Sequence, residues 1–167
     1  MGFEEDSRFR RDKTPTVYMM VGVCGSGKST CAKDMVSKVA FYPVYISSDD
    51  IREELFPGEE YNPKHNGIVF KTFYSRARAA LKEGRDVILD ATNVTKWERD
   101  NAKKQLRDIG CYWTAVVMDT PYDVAVSRNI NRDRTVPQDA MDKMWNRYQD
   151  IGDDENFNLI WRIRDKE

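Results

Sequence analysis

No apolar run in this 167-residue chain approaches the roughly 20 residues that a membrane-spanning helix requires, and Met1 to Lys13 is charged rather than signal-like. A membrane protein and a secreted one are therefore not expected; a soluble, cytoplasmic one is. Cysteine is scarce and odd in number (Cys24, Cys31 and Cys111), with no Cys-x-x-Cys pair, and His65 is the single histidine. That excludes a disulfide framework and a Cys/His structural metal site, and leaves reduced thiols. No charge predominates: 27 Lys and Arg face 28 Asp and Glu, for a net charge of −1. A broad basic face that coats long nucleic acid is not expected, whereas binding of an end or a short strand stays open. Internal repeats and low-complexity tracts are missing, and the length suits one buried core.

What is present alternates. After a polar stretch over residues 1–15, expected to be a mobile leader, come apolar runs at Thr16 to Val21, Val44 to Ser47, Val87 to Leu89 and Trp113 to Met118. Helical spacing separates them at Ser29 to Val39, Asn62 to Lys82 and Thr95 to Ile109, with Ile68, Val69, Phe73, Ala77, Ala80 and Leu81 expected on one buried face. Gly84 and Gly110 stand where helices should end. Thr120 is expected to cap a helix that has Pro121 at its first position and runs to about Asn131. Pro137 should start another helix through Gln149, burying Met141, Met144, Trp145 and Tyr148, and Asn158 to Ile163 reads as a closing strand. The alternation predicts βαβ units, hence an α/β fold with a parallel sheet of four to five strands sandwiched between helices, in one domain over 16–167.

Between the first strand and the first helix lies Gly22-Val23-Cys24-Gly25-Ser26-Gly27-Lys28-Ser29, of the form G-x-x-x-x-G-K-S. Its glycines let successive amides turn inward on a phosphate, and the helix that follows presents its positive end to the same oxygens. A nucleoside triphosphate is the expected ligand, held by Gly22, Cys24, Gly25, Ser26, Gly27, Lys28, Ser29 and Thr30. Lys28 reaches the β- and γ-phosphates and Ser29 offers its hydroxyl to Mg²⁺.

Ligands of an open parallel sheet gather beyond the carboxyl ends of its strands, and acids recur there. The second strand runs into Ser48-Asp49-Asp50-Ile51-Arg52, the third into Asp90-Ala91-Thr92-Asn93 and the fourth into Asp119-Thr120. Phosphoryl transfer needs charge cover for the moving group, a metal and an acceptor for the hydroxyl proton, which an aspartate supplies. Asp49 is the candidate base and Asp50 the weaker one; the competing reading makes Ser48 or Asp49 a cap for a helix over Ile51 to Phe56. Arg52 fits a phosphate of the acceptor, or else a surface ion pair. Asp90 closes its strand in the manner of a Walker B acid and serves either the metal or the acceptor. Arg128 and Arg132, four residues apart, are candidates for a lid that neutralises the triphosphate, with Arg128 the first choice and Arg134 just beyond. The aromatics Tyr61, Phe70, Phe73 and Tyr74 either stack bases or pack a helix. His65 reads as a surface residue, and Trp97 lies on a helix that is either a strand-binding face or simply solvated.

Taken in order, Gly25-Ser26-Gly27-Lys28-Ser29-Thr30, Ser48-Asp49-Asp50-Ile51-Arg52, Asp90-Ala91-Thr92-Asn93, and Arg128-Asn129 ahead of Val136-Pro137 resemble the kinase domain of phage-type polynucleotide 5′-kinases across about Thr16 to Tyr148. The resemblance implies a P-loop NTPase-like fold with a helical, arginine-bearing lid. It implies ATP and Mg²⁺ at Lys28 and Ser29, Asp49 as general base, Arg52 on the acceptor's phosphate, Asp90 on the acceptor side and Arg128 in the lid. The implied activity is transfer of the γ-phosphoryl group to the 5′-hydroxyl end of DNA or RNA. Two other readings compete: kinase action on another alcohol, such as a hydroxymethylated base, a nucleoside or a small molecule, and a non-catalytic nucleotide switch. The bend after Arg128 is one residue shorter than the family pattern. No Asp-x-Asp-x-Thr segment of the phosphatase that many relatives carry is present, so dephosphorylation of ends is not expected.

Overall fold

A computed structural model describes residues 14–39 and 41–164; the expected leader falls almost wholly outside them. Pro15 already accepts a hydrogen bond from the Tyr112 amide at 2.9 Å. Five parallel strands, β1 (Thr16–Val21), β2 (Val44–Ser47), β3 (Val87–Asp90), β4 (Tyr112–Asp119) and β5 (Leu159–Arg164), form one sheet in the order β2-β3-β1-β4-β5. Every residue of β1 is buried, as a strand covered on both faces demands.

Its alternation sends Tyr18 and Met20 to one face, where they pack with Ile88 and Val116 against Ala32 and Met35 of α1 (Lys28–Lys38). Val17 goes to the other face with Ile46 and Leu89, against Ile51 of α2 (Ser48–Leu55) and Val69, Phe73 and Ala77 of α3 (Asn66–Lys82). Met19 and Val21 share that second face with Ala102 of α4 (Lys96–Gln105) and with Ile151. Val23, Ala125 of α5 (Tyr122–Ile130) and Met141 of α6 (Gln138–Arg147) form a fourth cluster beside the phosphate loop.

Several element ends differ from expectation, each for a local reason. A 3₁₀ turn at Pro63–His65, capped by the Asn62 side chain on the Lys64 amide, precedes α3, so the helix starts four residues late. Ile68 is 51 % exposed rather than on the buried stripe. Gly84, at φ 77°, ends α3 as expected, its amide donating to the Leu81 carbonyl. Gly110 has no such role: α4 stops at Gln105, and the chain tightens through short turns at the buried Leu106. The Thr120 hydroxyl donates to the Ser26 carbonyl at 2.9 Å, which leaves Pro121 at the N-cap of α5. Pro137 likewise sits at the cap of α6, which ends at Arg147 because the Gln149 amide turns to the Val94 carbonyl; Trp145 is 40 % exposed.

Candidate active site

The loop from Gly22 to Lys28 joins β1 to α1 with Gly25 and Gly27 in the left-handed region, at φ 80° and 88°. A Cβ at Gly25 would lie 2.2 Å from the Ala125 carbonyl oxygen, so the loop rests directly on α5. Its amides and the α1 N-terminus open into a cleft of about 230 Å³. Cys24, Gly25, Gly27, Lys28, Ser29 and Thr30 line one wall, Ser48, Asp49 and Asp90 another, and Arg128 and Arg132 the lid side. Three of the expected residues stand outside this lining. Gly22 borders a neighbouring cavity of about 260 Å³ and gives its amide to the Thr92 carbonyl. Ser26 is buried, and Arg52 lies one turn along α2.

Lys28 is 8 % exposed, and its Nζ donates to the Val23 carbonyl at 2.9 Å. Burial pulls its ammonium below the usual lysine value, with Cys24, Asp90 and Asp49 acting in the opposite direction. A lysine depressed in this way destabilises the fold at every pH below its folded pKa, and that cost fades as the pH climbs toward the ordinary value. Lys28→Met is accordingly expected to raise the melting temperature of the nucleotide-free protein at pH 7, with the gain gone by about pH 10.5, the ordinary lysine value. The same variant should lose triphosphate binding. A calorimetric scan at both pH values, paired with nucleotide titration, checks the trade; a lower melting temperature at pH 7 would contradict it.

The Ser29 hydroxyl donates to Asp90 Oδ2 at 2.8 Å, and the Tyr45 hydroxyl donates to the same oxygen at 2.5 Å. Asp90 is 4 % exposed. Burial, then the Asp90 charge and hydrogen bond, push the Tyr45 phenol well above its usual value, so it keeps its proton as a donor. A serine hydroxyl beside a buried carboxylate oxygen is a donor set of the hard kind that Mg²⁺ prefers, so these residues fit the expected ion. Among the described residues no cluster of three or more His, Cys, Asp or Glu side chains offers a different metal site.

Asp49 is in the first turn of α2, not at its cap; Ser47 holds that place, its hydroxyl accepting from the Asp50 amide at 3.2 Å. The Asp49 side chain is 73 % exposed on the cleft, and its Oδ2 lies 4.0 Å from Arg132 Nη2. Three residues on, Arg52 is 9 % exposed. Its Nη2 donates to Asn66 Oδ1 at 2.7 Å, its guanidinium lies 4.8 Å from the Tyr61 ring centre, and its buried Nη1 has no hydrogen-bond partner. A guanidinium nitrogen without an acceptor, one helical turn from the cleft, suits an incoming anion.

Arg128 is in α5 itself, its Nη1 within 3.6 Å of where a Gly27 Cβ would stand. The helix ends at Ile130, so Arg132 reaches the cleft from the bend rather than along a continuous helical face. Buried Asn129 closes that bend by pairing with both backbone groups of Val136, at 2.7 and 3.0 Å. Arg134, further along the bend, forms an ion pair with Glu53 of α2. Phe73 of α3 is buried in the core with Phe70 and Tyr74 of the same helix edge-on against it, and Tyr61 is left exposed. His65 stacks on Phe56 at 3.6 Å instead of facing solvent fully.

Two site contacts were not foreseen. Tyr45 sits inside an ordinary apolar strand, where only the strand's alternation, putting it on the α1 face, hints at its reach. Met144 Sδ accepts the Cys24 amide of the loop at 3.4 Å, and nothing in its spacing on α6 marks it.

The parallel sheet, the loop at the end of its central strand and the lysine and serine entering α1 define a P-loop NTPase fold of the kinase type. The chain belongs to the family whose model is described as an AAA domain, which matches residues 17–151. It is 23 % identical over 171 residues to a putative bifunctional polynucleotide kinase/RNA ligase of Autographa californica nuclear polyhedrosis virus, a match covering 90 % of this chain and 23 % of that protein. It is also 23 % identical over 143 residues to an L-seryl-tRNA(Sec) kinase of Methanococcus maripaludis, covering 81 % of this chain and 53 % of the other. Among solved structures, the Pnkp1/Rnl/Hen1 RNA repair complex contains a chain with the same fold, at TM-score 0.72 and 24 % identity over 84 % of this chain and 46 % of that one. The chain thus spans about half or less of the length of these relatives. No helix among the described residues is long and apolar enough to cross a membrane.

Proposed function

We propose that residues 16–167 act as a single kinase domain in the cytoplasm, transferring the γ-phosphoryl group of ATP, with Mg²⁺, to the 5′-hydroxyl end of DNA or RNA. The observation that carries this reading is convergence: the Asp49 carboxylate, the phosphate loop with Lys28, and Arg128 all line one cleft, with the unpartnered Arg52 nitrogen one turn away. Amides from Gly25 to Ser29 cradle the triphosphate, and Lys28 follows the β- and γ-oxygens. Ser29 and Asp90 would hold a Mg²⁺ ion, which would supply charge neutralisation. Asp49 orients the acceptor hydroxyl and takes its proton as the oxygen forms its bond to γ-phosphorus. The bond from γ-phosphorus to the β,γ-bridging oxygen breaks, and its electron pair leaves with ADP. Arg128 meets the charge that develops on the transferred group. Arg52 holds the phosphate that follows the accepting nucleotide.

The two α2 residues should separate kinetically. Asp49→Ala is expected to lower kcat by about 10²–10⁴-fold, the usual range for a lost general base. Arg52→Ala should raise the KM for a 5′-hydroxyl oligonucleotide while leaving that for ATP nearly unchanged. Steady-state kinetics with both substrates varied checks the split, and full activity in Asp49→Ala would remove the base assignment. The near-neutral charge and the likeness to a protein named seryl-tRNA kinase favour a second reading, with another alcohol as acceptor. Comparing a 5′-hydroxyl oligonucleotide with a 5′-blocked one carrying hydroxymethylated bases, and with free nucleosides, separates the two.

A further inference from the structure

Asp90 Oδ2 accepts two hydroxyl donors from different elements, Ser29 at the start of α1 and Tyr45 in β2. The Tyr45 ring is packed on the α1 face of the sheet with Cys31 and Ile88, so its hydroxyl is delivered to the carboxylate by a rigid strand rather than by a loop. Asp90 Oδ1 is engaged by neither hydroxyl. One donor alone would leave a carboxylate free to turn about its side-chain torsion; two on the same oxygen fix which oxygen remains available to the cleft. Ser29 is also the residue expected to spend its lone pair on a cation, whereas Tyr45, packed in the sheet, is a donor with no such second task.

We propose that Tyr45 is the positioning residue of the divalent-cation site: its hydroxyl fixes the Asp90 carboxylate and so sets the affinity of the cleft for metal in the presence of nucleotide. This rests on reading the cleft as a nucleotide and metal site, but not on the identity of the acceptor. Groups that orient a metal-holding side chain from behind typically contribute 10- to 100-fold in metal affinity. Tyr45→Phe retains the ring and removes only the donor.

The test is nucleotide-dependent Mn²⁺ binding, followed by electron paramagnetic resonance with a non-hydrolysable ATP analogue, in the wild type, Tyr45→Phe, Asp90→Asn and the double variant. Tyr45→Phe should weaken Mn²⁺ about 10- to 100-fold, while binding of the analogue in EDTA stays within about twofold. In the Asp90→Asn background the second substitution should change Mn²⁺ affinity little, because the partner of the hydroxyl is already altered. Mn²⁺ affinity unchanged in Tyr45→Phe, or equal losses in both backgrounds, would overturn the proposal. So would a wild-type chain with no nucleotide-dependent Mn²⁺ binding. A wild type that binds Mn²⁺ with nucleotide, loses it in Tyr45→Phe and phosphorylates no alcohol would remove the kinase reading and leave the role of Tyr45 standing.

Discussion

Arg128→Ala is expected to lower kcat for phosphoryl transfer by at least about 10³-fold, the lower end of the range for an arginine that meets transition-state charge. The expectation comes from where the side chain is held. α5 lies against Gly25 of the loop, and its last turn sets the Arg128 guanidinium beside Gly27, in the lining of the cleft. Binding of ATP should suffer far less, because in the proposed mechanism the loop amides and Lys28 hold the ground state and Arg128 acts on charge that appears during transfer. Arg132→Ala should lose much less than Arg128→Ala: that side chain is 37 % exposed, comes from the bend, and is 4.0 Å from the Asp49 carboxylate. Single-turnover measurements separate chemistry from binding, and a fall of less than tenfold in Arg128→Ala would move the lid charge to another residue.

The largest expected change in stability comes from a pair remote from the loop. Arg99 and Glu155 are both essentially excluded from solvent, joined by Nε to Oε1 at 2.7 Å and Nη2 to Oε2 at 3.1 Å. Arg99 Nη1 also donates to the Asn93 carbonyl at 2.9 Å, and Glu155 Oε2 accepts the Gly152 amide at 2.8 Å. Removing one partner of such a pair leaves a buried charge without compensation, so Glu155→Ala should cost about 3–5 kcal/mol in urea unfolding. Replacing both partners with apolar side chains of similar volume should recover much of that loss. Burial pushes the Glu155 carboxyl up, but the Arg99 and Gly152 hydrogen bonds and the nearby cationic charges outweigh it and hold the carboxyl below its usual range. A depressed carboxylate stabilises the fold at pH values above its ordinary pKa, and that stability disappears as the pH falls through the lower, folded value. Wild type should therefore lose stability on acidification through that window, and Glu155→Ala should show less of this loss. A loss under 1 kcal/mol in Glu155→Ala would mean that water reaches the pair.

How far the sequence discloses this protein differs by element. The strands are legible because burial on both faces writes them as continuous apolar runs, and the structure extends β3 and β4 by only one or two residues beyond those runs. Helix ends are less legible, since they depend on partners distant in sequence: the Ser26 carbonyl takes the Thr120 hydroxyl, and the Val94 carbonyl takes the Gln149 amide. The cleft is legible where a strand end and a glycine loop dictate it, and Lys28, Ser29, Asp49 and Asp90 meet there. The cap reading of Asp49 failed because Ser47, one residue before the expected caps, supplies the cap. Tyr45 is not legible, since a tyrosine in a strand reads as packing and only the fold brings its hydroxyl to Asp90. Arg99 lies on the helix whose pattern reads as either a strand-binding face or a solvated one, and the chain's return at Gly152 to Glu155 is what buries it.

The most direct measurement incubates the chain with ATP labelled at the γ-phosphate, Mg²⁺ and an oligonucleotide ending in a 5′-hydroxyl, then digests the product to mononucleotides. Label recovered solely on the 5′-terminal nucleotide, missing when that end is already phosphorylated and lost in Asp49→Ala, is the expected result. Label on internal residues, or no transfer by a wild-type chain that binds ATP, would contradict a 5′-end kinase.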